Sequence, residues 1–271
     1  MERLERLIAH DPGGRGVAGL QSPGDLERAA GLLRNATRVL ILTGFPVGPD
    51  GVAETDGPPG ALFLGRALIR RGKQVVFATH RSCAAVMAAG IAHLGLSAAL
   101  EAFAPGEAPD GVLARFEPDL IVAVELPGRG RDGQYYNMRG QPITGRTAPL
   151  DGLLLPTGCG RVPTIGVGDG GNEAGMGKVI EHVRRHVPGG ERIGSVVPAD
   201  CLIAAGTSNW GAYGLVAALD PALLHDAGEE SGLLQALVAA GCCDGVRLEP
   251  TCSVDGLELA AYTGILAELK Q

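Results

Sequence analysis

Unbroken apolar runs of four or five residues recur along the chain, each followed by a polar, glycine-bearing segment. Val39-Leu40-Ile41-Leu42, Val75-Val76-Phe77-Ala78, Leu120-Ile121-Val122-Ala123-Val124, Thr164-Ile165-Gly166-Val167 and Leu202-Ile203-Ala204-Ala205 all have strand length. Continuous rather than alternating apolarity suits strands covered on both faces, as in a parallel sheet. Between these runs apolar residues recur at helical spacing. Ser22-Pro23-Gly24-Asp25 reads as a helix start with a capping box, followed by Leu26, Ala29, Ala30 and Leu33. Further helices are predicted over 62–71, 83–93, about 174–186 and 210–219, with terminal ones over 233–240 and 257–269. The alternation predicts one α/β domain over 1–271, with helical extensions at both ends. Its core is a doubly wound, mostly parallel sheet flanked by helices, a Rossmann-like three-layer arrangement.

In such a sheet the carboxyl ends of the strands share one edge, and ligands bind there. Thr43-Gly44-Phe45-Pro46, leading to Glu54-Thr55-Asp56-Gly57-Pro58-Pro59-Gly60, follows the first strand. Thr79-His80-Arg81 follows the second and Glu125-Leu126-Pro127-Gly128-Arg129 the third. Gly168-Asp169-Gly170-Gly171-Asn172-Glu173 and Gly206-Thr207-Ser208-Asn209-Trp210 follow the last two. Five polar loops at one edge point to an enzyme site.

Composition narrows the partners. The 271 residues carry a net charge of −7 with dispersed basic residues, which argues against nucleic acid. Glycine numbers 43, over twice the usual share of roughly 7%, and it clusters in the loops, where chain reversal or close ligand approach favours a missing Cβ. No apolar run approaches the roughly 20 residues of a membrane helix. The amino terminus is charged and amphipathic, unlike a signal peptide. Cys83, Cys159, Cys201, Cys242, Cys243 and Cys252 form no C-x-x-C pair, so buried free thiols in a reducing cytoplasm are expected. The expected partner is a small molecule, with neither nucleic acid nor membrane; association with further copies of the chain stays open.

The Asp169 loop is the densest chemical signal. Three glycines let backbone N–H groups approach an anion, and Asp169 and Glu173 are hard oxygen ligands for magnesium or manganese. A capped strand-to-helix turn is the plainer alternative. The loop also resembles the metal-binding loop of haloacid-dehalogenase-type phosphatases, although Leu42-Thr43-Gly44-Phe45 holds no aspartate nucleophile. Glu54 and Asp56 can divide acid and base roles, or occupy a solvated turn. Arg129 and Arg139 can grip a carboxylate that Tyr136 and Asn137 orient. Asn172, Lys178, Ser208 and Asn209 complete the candidate binding set, with helix capping as the alternative for the last two. His182 and His186, at i and i+4, read as a solvated helix face beside Glu181, Arg184 and Arg185; His80 is the better-placed histidine.

Taken together these loops resemble the carboxy-terminal domain family of D-glutamate cyclase. The resemblance rests on Leu42-Thr43-Gly44-Phe45-Pro46, Glu54–Gly60, Gly128-Arg129, Asp132-Gly133, Tyr135-Tyr136-Asn137, Gly166–Glu173, Gly175–Val179 and Ser208-Asn209-Trp210-Gly211. Glu249-Pro250-Thr251 and Val254-Asp255-Gly256-Leu257 extend it, with Cys252-Ser253 between them as a departure. It implies a lyase that cyclises D-glutamate to 5-oxo-D-proline and water. Chemistry then asks for proton transfer, for which Glu54, Asp56 and Asp169 are candidates. It also asks for charge neutralisation by Arg129, Lys178 or a divalent cation, manganese or magnesium, on Asp169 with Glu173 or an acid of the Glu54–Asp56 loop. A metal-dependent phosphohydrolase and a non-catalytic ligand-binding module are the alternatives.

Overall fold

Along the first strand Val39 and Ile41 join one apolar cluster, Leu40 and Leu42 another, and all four are fully buried. Both faces of the sheet are therefore covered, as the unbroken apolar runs require. The structure, a computed structural model, describes residues 1–156 and 161–271. Apart from a separate antiparallel pair, Pro46–Val47 with Val52–Ala53, the strands make one sheet: β1 (Arg38–Thr43), β2 (Gln74–His80), β3 (Ala99–Phe103), β4 (Leu120–Val124), β5 (Thr164–Gly168) and β6 (Cys201–Ala204). They lie in the order β3-β2-β1-β4-β5-β6. Every pairing in this sheet is parallel, so the expected mostly parallel sheet is wholly so. β3 lacks a sequence signal because it is an edge strand, only partly buried and carrying Glu101.

The helices Asp25–Asn35, Pro58–Arg70, Ala84–His93, Ser208–Leu219 and Ala227–Ala239 pack on the Val39/Ile41 face. The opposite face lies under Leu126, Leu150, Leu153 and Val197, with Val112 from the short helix Asp110–Phe116. Glu230 ties the carboxy-terminal region to this frame. Fully buried, it accepts from the hydroxyls of Tyr213 (2.8 Å) and Tyr262 (3.0 Å) and contacts His225 Nε2 (2.6 Å).

Several boundaries differ from those predicted. The helix expected from 174 begins at Ile180 and ends at His186. Ala174 and Gly175 instead donate their N–H groups to the carbonyls of Leu126 and Val197, which holds the backbone extended away from a helix. The terminal stretch divides into Leu259–Thr263 and Ile265–Leu269. No capping box forms at Ser22: the carboxylate of Asp25 turns inward and accepts from Leu202 N (2.7 Å) and Lys178 Nζ (2.5 Å). No helix among the described residues is long and apolar enough to cross a membrane. Cys83, Cys201, Cys242, Cys243 and Cys252 are free thiols; Cys159 lies outside the described residues.

Candidate active site

The connections leave β1 and β4 toward opposite sides of the sheet, and a crevice opens where the strand order reverses. A cavity of about 530 Å³ lies beside it. Its lining includes Glu54 from the loop after β1, Glu125 directly after β4, and Asp169 and Glu173 after β5. Two charged residues of the lining come from the terminal segments: Arg15, before the helix Val17–Leu20, and Asp255, near the carboxyl terminus. These carboxylates are almost wholly buried, whereas the rim carries exposed Met138, Arg139, Val246 and Leu248.

Each acid is held differently. Asp56 accepts from Ser208 N (2.7 Å) and Asn209 N (2.8 Å), where the first turn of the Ser208–Leu219 helix favours negative charge. Glu125 accepts from Ser208 Oγ (2.5 Å). Its own φ is +45°, and Gly57 approaches so closely that a Cβ there would lie 2.6 Å from Glu125 Cβ. Asp169 pairs with Arg15, which also reaches Asp255 Oδ2 at 3.1 Å. Glu173 folds back on its own loop, accepting from Gly170 N and Gly171 N, each at 2.7 Å. Glu54 accepts no side-chain hydrogen bond among the described residues. It packs against Gly245, where a Cβ would fall 1.6 Å from Glu54 Oε2.

Crowding sets the electrostatics. Burial first, then neighbouring carboxylates, hold Glu54, Asp56 and Glu125 well above the usual carboxylate range. Asp169 is raised by burial despite the opposing pull of Arg15, and the Arg15 guanidinium is in turn held more strongly charged by Asp169. One oxygen from each of Asp56, Glu125 and Asp169 lies within 4.8 Å of the others. Three desolvated carboxylates that close must share protons or a cation. Hard oxygen donors suit magnesium, manganese or calcium. With metal–oxygen bonds of about 2.0–2.6 Å, two ligands on one ion stand at most roughly 4–5 Å apart. The group therefore fits a divalent ion after little or no contraction.

Of the residues singled out from sequence, the fold brings together Glu54, Asp56, Asp169, Asn172 and Glu173, with Asn137 and Arg139 on the outer lining. The acids converging on Asp169 are Asp56 and Glu125; Glu173, expected beside it as a metal ligand, has both oxygens on loop N–H groups. Ser208 and Asn209 sit beneath the cavity, fully buried. Asn209 Oδ1 accepts from Gly57 N (2.9 Å) and Gly60 N (2.7 Å), so both residues brace the acidic loop, while Thr207 caps the helix.

Arg129, Tyr136 and Lys178 do not line the cavity. Arg129 grips Asp151 with two bonds of 2.8 Å. The Tyr136 hydroxyl donates to Asp132 (2.5 Å) while its carbonyl accepts from Asn172 Nδ2 (2.8 Å). Lys178 joins Asp25 and the Asp200 carbonyl just before β6, at the opposite edge of the sheet from the cavity. His80 is buried outside the cavity, where its Nδ1 accepts from Ala148 N (3.0 Å) and burial pulls it down to about 4. Glu125, Arg15 and Asp255 went unselected in the sequence. Glu125 had a signal in being the first polar residue after a strand, and Asp255 one in the Val254-Asp255-Gly256-Leu257 motif; Arg15 had none stronger than a glycine-rich turn.

Residues 4–270 match the family described as D-glutamate cyclase-like, C-terminal. The human protein D-glutamate cyclase, mitochondrial (Homo sapiens) is 39% identical over 241 residues, which cover 81% of this chain and 38% of that protein. The chain thus spans well under half the length of that relative.

Proposed function

The chain belongs to the D-glutamate cyclase-like, C-terminal family, and from that premise we propose that it is a carbon–oxygen lyase converting D-glutamate to 5-oxo-D-proline and water. The observation that carries this reading is the buried carboxylate cluster at the strand-order reversal, combined with the relative's name. The amine of the substrate attacks its own γ-carboxyl carbon, a nitrogen–carbon bond forms and one γ-oxygen departs as water. Holding both groups of one molecule in place supplies effective molarities on the order of 10⁵ M or more. The remaining barriers are proton movements: the ammonium must give up two protons on its way to the amide, and the departing oxygen must gain two to leave as water.

Carboxyl groups held above their usual range suit both tasks near neutrality. Glu54 is the proposed proton carrier, because it lines the cavity without a hydrogen-bond partner among the described residues. Asp56, Glu125 and Asp169 are the proposed holders of a divalent cation, manganese or magnesium. Bound there, the cation would polarise the γ-carboxyl oxygen and offset the cluster's charge. Asp169 keeps Arg15 in place, and Ser208 and Asn209 fix the Asp56 loop. The free thiols suit a reducing compartment such as the cytoplasm.

The test follows D-glutamate by proton NMR after addition of chelator-treated protein, with and without manganese. Growth of the 5-oxoproline ring resonances at the expense of D-glutamate supports the reading. No ring product under either condition removes it.

A further inference from the structure

The cavity is electrically two-ended. Its buried part is lined by carboxylates, and the one arginine there, Arg15, is already paired with Asp169 and Asp255. Its outer part carries Arg139 and Arg146. Among the described residues both donate to backbone carbonyls rather than to carboxylates: Arg139 Nη2 to Val246 O (3.0 Å) and Arg146 Nη1 to Gly48 O. A carbonyl bond orients a guanidinium and leaves its charge uncompensated, with further N–H groups free of the five it carries. Arg146 is also wedged: at Gly51, whose φ is +67°, a Cβ would come within 3.0 Å of Arg146 Cδ. Each arginine thus bridges two loops across the mouth with positive charge to offer.

We infer that Arg146, assisted by Arg139, forms the subsite that holds the non-reacting α-carboxylate of an amino dicarboxylate at the cavity mouth. The ligand's identity rests on the cyclase reading; the subsite rests on the charge layout. In a cyclisation the amine and the γ-carboxyl group must both lie beside the proton-carrying acids. The α-carboxylate takes no part in bond making and survives in the product. The two arginines attract it, so it lodges at the mouth while the amine and the γ-carboxyl group reach the inner acids. A guanidinium fork accepts it with two parallel hydrogen bonds, which a lysine cannot reproduce. The arginines therefore strengthen binding and hold the α-carboxylate clear of the reacting groups.

Two product-like probes isolate this carboxylate. 5-Oxo-D-proline carries it and 5-oxo-D-prolinamide does not, while the ring is the same. Calorimetric titration of the manganese-loaded protein is expected to give at least tenfold tighter binding of the acid than of the amide. Arg146→Gln should abolish most of that preference, Arg146→Lys should keep part of it, and Arg139→Gln should reduce it. Melting temperatures close to wild type would show that the loops remain folded, and Arg139, being exposed, offers a second variant if Arg146→Gln fails to fold. D-Glutamate turnover is measured separately. Collapse of the acid preference supports the subsite even if no turnover occurs. A wild type that turns over D-glutamate while Arg146→Gln keeps both KM and the acid preference overturns the subsite and leaves the cyclase reading standing. Failure of wild type to prefer the acid overturns it as well.

Discussion

Adding one carbon at Gly57 should damage the site more than any comparable change at a remote turn. Gly57 has φ 98° and ψ −63°, a conformation that L residues scarcely adopt. Holding alanine there costs about 1–3 kcal/mol in backbone strain. The new Cβ would lie 2.6 Å from Glu125 Cβ and 3.2 Å from Thr43 Oγ1, and forcing apart a packed contact of this kind costs about 1–3 kcal/mol more. The expected loss is therefore about 2–6 kcal/mol. A chain of this size loses roughly 2–4 °C of melting temperature per kcal/mol. The steric share also falls directly on Glu125, one of the three acids of the cluster. Gly72→Ala is the control: its φ is +76° but nothing lies within 4 Å of a Cβ there, so only about 1–2 kcal/mol of backbone cost applies. Both variants would be melted by circular dichroism and titrated with manganese in a calorimeter. Gly57→Ala should melt lower than Gly72→Ala and bind manganese at least tenfold more weakly than wild type. Equal melting of the two variants with unchanged manganese affinity would refute the Gly57–Glu125 contact as a determinant of the site.

Three further outcomes are expected. The native state retains protons on Glu54, Asp56, Glu125 and Asp169 that the unfolded chain has already released, so these groups make metal-free stability fall as pH rises above the ordinary carboxylate range. Urea unfolding between about pH 5 and about pH 8 measures this; Glu54→Gln should flatten the fall, manganese should offset it while releasing protons, and a rise with pH unaffected by Glu54→Gln would contradict it. Asp151 is wholly buried against Arg129 and the Tyr135 hydroxyl (2.6 Å), so Asp151→Ala should lower unfolding free energy by about 3–5 kcal/mol, and a loss below 1 kcal/mol in urea denaturation would show the cluster contributes little. Glu230→Ala removes the acceptor shared by Tyr213, Tyr262 and His225 in the core and should cost about 3 kcal/mol or more by the same assay, whereas Glu230→Gln, which keeps an acceptor, should cost less.

The part of the site that was legible in the sequence is the part that the parallel-sheet rule governs. Glu54, Asp56 and Asp169 follow unbroken apolar runs, and a doubly wound sheet must bring such loops to one edge. What the sequence hid depends on contacts between distant segments. Glu125 turns inward because its backbone takes a left-handed turn against Gly57, 68 positions earlier, and no local pattern announces that meeting. Arg15 and Asp255 come from regions outside the strand ends, delivered by packing of the terminal segments, and they meet only across the cavity. Arg129 read as a carboxylate-gripping residue and does grip one, but the carboxylate belongs to Asp151. Lys178 followed a promising loop, yet the chain pairs with Leu126 and Val197 at Ala174 and Gly175 and then tightens into the turn Gly177–Val179, which places it at the far edge of the sheet. Edge strand β3 escaped because one-sided pairing lets it stay only partly buried and carry Glu101.

The carboxylate cluster as the seat of D-glutamate cyclisation is tested most directly by comparing wild type with Asp169→Asn. Asparagine keeps the shape of the side chain and removes its charge, so Arg15 and any bound cation lose a partner while the fold is largely preserved. Both proteins are incubated with D-glutamate and manganese, and the products are separated by chiral chromatography, with melting temperatures recorded alongside. Wild type should form 5-oxo-D-proline, and a folded Asp169→Asn should form at least a hundredfold less. Equal product from the two proteins would contradict the assignment of this site, and no product from wild type would contradict the activity itself.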